Sequence, residues 1–274
     1  MLISVNSGLY SARQGRPRVP MAEAMAFFGQ AGFEAVDINF SAVIYEDEWK
    51  HEPILDGDWE RNLDMVMKAA QENGLAIALT HLPFYKYDLP DKDRLERYTG
   101  MMYRAIEATA YIGAKYAVLH PHRNEAMETS VPETVAYLTP FRDAAQSRGV
   151  TLCVENMVTT SAQVLTQITD ALNVSACWDV GHANLGGFDQ YASITALGGR
   201  LKALHLHDNY GTKDDHSLPF LGTVNWHGIL SALAAIAYKG VFNYEVSATM
   251  LPMELREEHA AYLVKAAKLL LGRK

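Results

Sequence analysis

Cysteine is scarce: Cys153 and Cys177 are the only two in 274 residues, which excludes a disulfide-stapled framework. Apolar runs are short, and none approaches the roughly 20 residues of a membrane-crossing helix. Basic residues are outnumbered, 24 Lys and Arg against 32 Asp and Glu, for a formal net charge of −8. That balance disfavours a dedicated nucleic-acid binder, whose contact face is normally basic, although a local basic groove stays open. No low-complexity tract, linker or repeat of roughly 20–50 residues interrupts the chain. A Gly-rich phosphate turn is missing after the first strand-like segment, where the sequence reads NSGLYSARQG. Met1 runs directly into strand-like LISVN, so no leader peptide is expected, and a cytoplasmic location is the default expectation.

What the chain does have is apolar mass: 49% of its residues are hydrophobic and 20% charged, enough for a large core. Alternation marks eight strands: Leu2–Asn6, Ala35–Phe40, Leu75–His81, Lys115–His120, Val150–Glu155, Val174–Asp179, Leu201–His207 and Val241–Val246. Helical periodicity fills Met21–Ala31, Trp59–Asn73, Lys92–Ile112, Val131–Arg148, Ser161–Leu172, Gly187–Leu197, Trp226–Tyr238 and Glu254–Leu271. Glycines 32, 74, 113 and 149 close four of these, and Ser161 is placed to cap another. Ser7–Pro20, Ser41–Asp58 and His81–Asp91 read as loops. Strand followed by helix throughout implies parallel pairing, and eight such units predict an α/β TIM (β/α)8 barrel, one domain over 1–274. The runner-up, an open doubly wound sheet, would want the missing phosphate turn.

A barrel of this kind carries its reactive groups at the C-terminal ends of its strands. Those ends read His81, His120, Glu155, Asp179, His205 and Glu245. Singly, each has a bland explanation, as a hydrogen-bonded loop histidine or a capping carboxylate. Together they conflict, because ionisable groups buried at one rim without partners cost several kcal/mol each. A divalent cation removes the conflict, since carboxylates and neutral imidazoles are what it binds.

The densest stretch of ligand types is Leu201–His216, LKALHLHDNYGTKDDH. Leu204 and Leu206 face one way, His205 and His207 the other, and the following loop ends on Asp214, Asp215 and His216. An Asp214-x-His216 pair can clamp a metal or can hydrogen-bond its own backbone. His182 follows Asp179 in what reads as a turn. Alternation aims Cys153 and Cys177 into the barrel one layer below the carboxylates, as small core residues. Lys213, with Arg13, Arg16, Lys86 and Arg123, is a candidate contact for a phosphate or carboxylate, against the plain alternative of a solvated charge.

VEN (154–156), WDVGHANL (178–185), HLHDN (205–209), DDH and LGTVNW (within 214–226) and YEVS (244–247) together resemble the xylose-isomerase-like TIM barrels. That superfamily holds sugar and sugar-phosphate isomerases and epimerases, inosose dehydratase, hydroxypyruvate isomerase and endonuclease IV. The resemblance extends over nearly the whole chain and is most specific at 150–247. Its ketose 3-epimerase branch implies one divalent ion (Mn, Mg, Co or Zn) on Glu155, Asp179, His205 and Glu245. The same branch implies that Glu155 and Glu245 form the acid/base pair, moving a proton beside a carbonyl through an enediolate. His182 matches a histidine that bonds substrate oxygens there; His207 and Lys213 are further substrate-binding candidates. Two positions depart from the branch: Gly211 stands where it has an Arg, and Ser161 where it has a Glu.

The endonuclease IV branch implies three zinc ions, on positions matching His81, His120, Glu155, Asp179, His182, His205, Asp214, His216 and Glu245. The acidic chain weighs against that branch. The favoured expectation is therefore a metal-dependent isomerase or epimerase of a small sugar-like compound, with a dehydratase of the inosose or dehydroshikimate kind next and a zinc phosphodiesterase third. Aromatic residues in Tyr45–Trp49 and Phe84–Tyr87 would stack on sugar faces, or pack as a lid. An intact Glu, Asp, His and Glu set speaks against a non-catalytic barrel. The resemblance further implies a homodimer or homotetramer, while the acidic charge and the short apolar runs make nucleic acid an unexpected partner and membrane none.

Overall fold

The computed structural model describes residues 1–274 except 12–15, 17, 48–49, 85–90 and 122–129. Arg13, Lys86 and Arg123, and the aromatic residues Trp49, Tyr85 and Tyr87, lie outside the described residues. Eight strands form one parallel sheet: β1 (Ile3–Asn6), β2 (Ala35–Asn39), β3 (Ala76–His81), β4 (Tyr116–Leu119), β5 (Thr151–Glu155), β6 (Ser175–Asp179), β7 (Leu201–His205) and β8 (Phe242–Tyr244). Their order, β7-β6-β5-β4-β3-β2-β1-β8, is the chain order wrapped round once. The ring closes where Leu206 bridges Tyr244, with its N–H donating to Asn243 O (3.0 Å) and its carbonyl accepting from the Glu245 N–H (3.1 Å). This is the expected TIM barrel.

The helices of the described residues are α1 (Gly8–Ser11), α2 (Met21–Ala31), α3 (Trp59–Glu72), α4 (Lys92–Tyr111), α5 (Val131–Ser147), α6 (Ala162–Leu172), α7 (Val180–Leu185), α8 (Gln190–Leu197), α9 (Trp226–Ala235) and α10 (Met253–Leu270). Ser161 caps α6 as expected, its hydroxyl accepting from Val164 N–H at 3.3 Å. On that helix Leu165, Ile168 and Leu172 are buried, each worth about 1.5–3 kcal/mol against exposure.

Alternation along the strands splits the interior in two. Outward residues such as Val36, Ile38, Val154, Trp178 and Leu204 join the large core between sheet and helices. Inward residues Leu79, Val118, Cys153, Cys177 and Ala203 form a separate apolar layer inside the ring. The cysteines therefore sit as their spacing predicts, and burial pushes the Cys177 thiol up to about 12.

Several boundaries differ from the sequence reading, for local reasons. β7 stops at His205 rather than His207, because Asp208 leaves to pair with Ser217 through two 2.9 Å backbone bonds. The turn read after Asp179 is the short helix α7, and α8 starts at Gln190 with Asp189 as its cap rather than at Gly187. Gly8–Ser11 and the 3-10 turn Pro53–Leu55 lie in segments read as loops. Elements of one turn bury too little to leave a period.

Candidate metal centre

The last inward residues of β3, β5, β6 and β7 are His81, Glu155, Asp179 and His205, all buried, and Glu245 follows β8. One oxygen or nitrogen from each of Glu155, Asp179, His205 and Glu245 lies within 4.8 Å of the others. His205 Nδ1 stands 3.0 Å from Glu155 Oε1, 3.1 Å from Glu245 Oε2 and 4.0 Å from Asp179 Oδ2. The set is oxygen plus imidazole with no thiolate among its members, which fits a hard or borderline divalent ion such as Mn, Mg, Co or Zn.

A second layer of histidines surrounds this centre. His81 Nε2 is 3.3 Å from Glu155 Oε2, and His120 Nε2 is 3.6 Å from the same oxygen. Phe84 stacks on the His120 ring at 3.9 Å. Asp214 Oδ2 accepts from both His182 Nε2 (3.3 Å) and His216 Nε2 (3.2 Å). His81, His182 and His216 share one device. Each places Nδ1 on a backbone carbonyl, of Leu82 (2.8 Å), Asn156 (2.9 Å) and Glu245 (2.6 Å) respectively. The carbonyl can only accept, so Nδ1 carries a proton and Nε2 is the atom left to face a carboxylate, or a cation between them.

The charge balance follows from that geometry. Burial alone would push Glu155 up, but His205, His81 and His120 outweigh it and hold its carboxyl well below the usual carboxylate range. Glu245 is likewise held down by His205 and His216, and Asp214 by His182 and His216. The imidazoles move the other way: against the burial that would lower it, His216 is held up at about 9 by Asp214 and Glu245. Against the burial that would lower it, His205 is held well above its ordinary value by the Glu155 and Glu245 carboxylates. Without a metal, protons on the imidazoles balance the carboxylates. A divalent ion would displace them, so metal and protons compete for this rim.

Four features escaped the sequence reading. Asn156, the last residue of VEN, clasps the strand end: its Nδ2 donates to Asp179 O (2.9 Å) and its Oδ1 accepts from Asp179 N (2.7 Å). Gly181 has to be glycine, because a Cβ there would overlap the His207 ring. Asp208 organises the next loop, its carboxylate accepting from the N–H groups of Asn209, Phe220 and Val224 and from Trp226 Nε1, at 2.9–3.1 Å. Asp37, inward on β2, is fully buried beside His205 and raised to about 6 by desolvation, against the pull of His205 and His81. Its place between Val36 and Ile38 was the available signal: an acid on the inner face of a strand.

Two substrate-contact candidates take positions of their own. His207 is fully buried and directs Nε2 at both Asp179 oxygens (3.1 Å each), with Asp214 Oδ1 3.8 Å away. Lys213 is turned outward, 79% exposed, and pairs with Asp215 at 3.3 Å. Arg16 is exposed as well. His182, also buried, faces Asp214 through Nε2 at 3.3 Å.

Comparison with known proteins sets this geometry in a family. The family model described as "xylose isomerase-like TIM barrel" matches residues 26–266, and the chain belongs to that family. An uncharacterised protein of Sinorhizobium fredii is 33% identical over 154 residues, 51% of this chain and 50% of its own length, so the match spans about half of that relative. A probable endonuclease 4 of Bacillus licheniformis is 24% identical over 196 residues, covering 61% of this chain and 65% of that one. Among solved structures, D-psicose 3-epimerase from Clostridium cellulolyticum H10 superposes with a TM-score of 0.78 over 99% of both chains at 14% identity, a likeness of fold. No helix among the described residues is long and apolar enough to cross a membrane.

Proposed function

We propose that this single-domain chain is a divalent-metal-dependent isomerase or epimerase of a sugar, sugar phosphate or related small hydroxy-carbonyl compound. The observation that carries the reading is the pair of carboxylates flanking His205 Nδ1, Glu155 at 3.0 Å and Glu245 at 3.1 Å. They come from strands separated by β6 and β7, so they approach the centre from different sides. Both are held ionised by their imidazole neighbours, the state a general base requires. The fold shared with sugar 3-epimerases agrees with this reading.

Glu155, Asp179, His205 and Glu245 would hold the ion, which when bound polarises a substrate carbonyl and eases loss of the neighbouring C–H proton. One carboxylate takes that proton, leaving an enediolate. Return of a proton to the former carbonyl carbon gives an isomer, and return to the original carbon from the opposite face, by the other carboxylate, gives an epimer. The returning group must itself be protonated first. Glu245, 19% exposed at the mouth, is within solvent's reach, whereas Glu155 is 1% exposed and enclosed. Gly211 sits at φ 74°, a backbone in which an Arg would be strained, so the departure from the ketose 3-epimerase pattern is built into the loop.

The test is solvent-deuterium incorporation beside the carbonyl of simple ketoses by the Mn- or Co-loaded protein. Incorporation in the wild type and its loss in Glu155→Gln and Glu245→Gln support the reading; unchanged exchange in both variants ends it. An ultraviolet-absorbing enone product would instead mark a dehydratase.

A zinc phosphodiesterase is favoured by one observation: all nine positions that match the endonuclease IV ligands converge on this rim, in overlapping groups around Glu155 and Asp214. It predicts close to three zinc ions per chain and cleavage of an abasic oligonucleotide. One ion per chain and no cleavage leave the sugar chemistry standing. For the assembly we propose a homodimer or homotetramer, to be read by light scattering.

A further inference from the structure

Below the candidate metal centre, between β8, β1 and β2, the barrel interior is polar where β3 to β7 are apolar. Asp37 lies there, fully buried. Its Oδ2 accepts from Asn243 Nδ2 (3.2 Å) and Asn6 Nδ2 (3.4 Å), and its Oδ1 has no partner among the described residues. The facing atom is His205 Nε2, 3.9 Å from Oδ2, buried and also without a hydrogen-bond partner among the described residues. An unpartnered ring nitrogen therefore faces a buried carboxylate with accepting capacity to spare, about 1 Å beyond the usual hydrogen-bond distance.

The His205 ring fixes what this pair is for. Nδ1 is the atom aimed at Glu155, Glu245 and Asp179. To bind a cation there, Nδ1 has to present its lone pair, so the ring proton has to reside on Nε2. A buried Nε2–H needs an acceptor. His81, His182 and His216 solve the same problem with backbone carbonyls on Nδ1, whereas His205, inverted in the ring, has no carbonyl partner on Nε2. The Cys177 sulfur, one layer down, is the other group facing the ring and a much weaker acceptor.

We propose that Asp37 is a positioning residue of the metal centre: it accepts the Nε2–H of His205 and so fixes the tautomer that turns the Nδ1 lone pair to the ion. The inference rests on the reading of Glu155, Asp179, His205 and Glu245 as metal ligands. Closing the 3.9 Å gap between Nε2 and the carboxylate would complete the carboxylate–histidine–metal relay. The Asn243 and Asn6 amides hold the carboxylate oriented for it.

Two readouts test this without assaying activity. In 15N-labelled, zinc-loaded wild type, long-range proton–nitrogen spectra are expected to show His205 protonated at Nε2. In Asp37→Ala, zinc affinity measured by chelator competition is expected to fall about 10–100-fold, with the melting of the metal-free protein still cooperative. Asp37→Asn keeps an acceptor oxygen of the same shape and is expected to lose less, and Cys177→Ala to stay within about twofold. An unprotonated Nε2 in the zinc-loaded wild type overturns the proposal, and that spectrum decides even if Asp37→Ala fails to fold. Zinc affinity within twofold of wild type in both Asp37 variants overturns it too, as does a Cys177→Ala loss equal to that of Asp37→Ala. Failure of the metal reading is separate: a wild type that binds no zinc takes both down, whereas zinc binding weakened by Glu245→Gln and untouched by the Asp37 variants removes this inference alone.

Discussion

Two layers inside the same barrel, one residue pair apart along each strand, behave as different materials. The lower layer, Leu79, Val118, Cys153, Cys177 and Ala203, is apolar and sealed. The upper layer, His81, Glu155, Asp179 and His205, is as deeply buried yet wholly ionisable. The dry layer gains stability from being out of water; the rim loses it and recovers it only through paired charges or a bound ion. Burial alone therefore does not separate a core residue from a functional one. What separates them is whether the buried group is left needing a counter-charge.

The largest expected effect lies in the rim. Glu155→Gln or Glu245→Gln is expected to slow solvent-deuterium exchange by about 10²–10⁴-fold, the usual range for a lost general base. The same variants are expected to leave the metal-free barrel folded by circular dichroism. A variant that lost exchange only because it unfolded would erase the contrast between the layers.

Next comes the dry layer. Leu79→Ala removes a side chain 2% exposed and is expected to cost about 2–5 kcal/mol in urea unfolding while metal stoichiometry holds. A matching loss of stoichiometry would show that floor and rim are one unit. A smaller effect tests the join between them: Gly181→Ala pushes a Cβ into the His207 ring that backs Asp179. The expected result is about 1–3 kcal/mol of strain with weaker metal binding. Unchanged affinity would mean that His207 does not hold Asp179 in place.

Fold and rim were legible to different degrees. Strands β1 to β8 could be read because each buries two faces and keeps its alternation, and strand-end residues such as Glu155 and Asp179 followed from the fold. His207 could not be placed, because β7 ends at His205 and alternation no longer governs it: its Nε2 is directed at Asp179. Asp208 looks like a ligand by type, and only the four donors around it show that it ties the loop together. Asp37 was visible as an inward acid, yet the atom it faces comes from a strand 168 positions away in number, which no local pattern encodes. The Cys177 and Cys153 positions, by contrast, needed only the period of two and the known strand ends.

The opposite end of the barrel gives the smallest effect and the cleanest sign. Glu34, just before β2, accepts from both Arg273 nitrogens (2.7 and 2.6 Å) and from Ile3 N (2.9 Å), joining the two chain ends. The Arg273 guanidinium is the main cause that holds its carboxyl at about 2, against an ordinary 4.5, with the Ile3 N–H helping and slight burial opposing. A depressed folded value means that the stabilisation is complete above pH 4.5 and is lost as pH falls towards 2. The pair is largely solvated, so Glu34→Gln is expected to cost less than about 1 kcal/mol at pH 7. Its difference from wild type in urea unfolding should shrink between pH 4.5 and about 3. A metal held at the rim would add a second acid response, since protons compete with it there, so metal-free protein isolates the Glu34 contribution. A Glu34→Gln difference that stayed constant down to pH 3 in metal-free protein would mean the clamp acts by shape and not by charge.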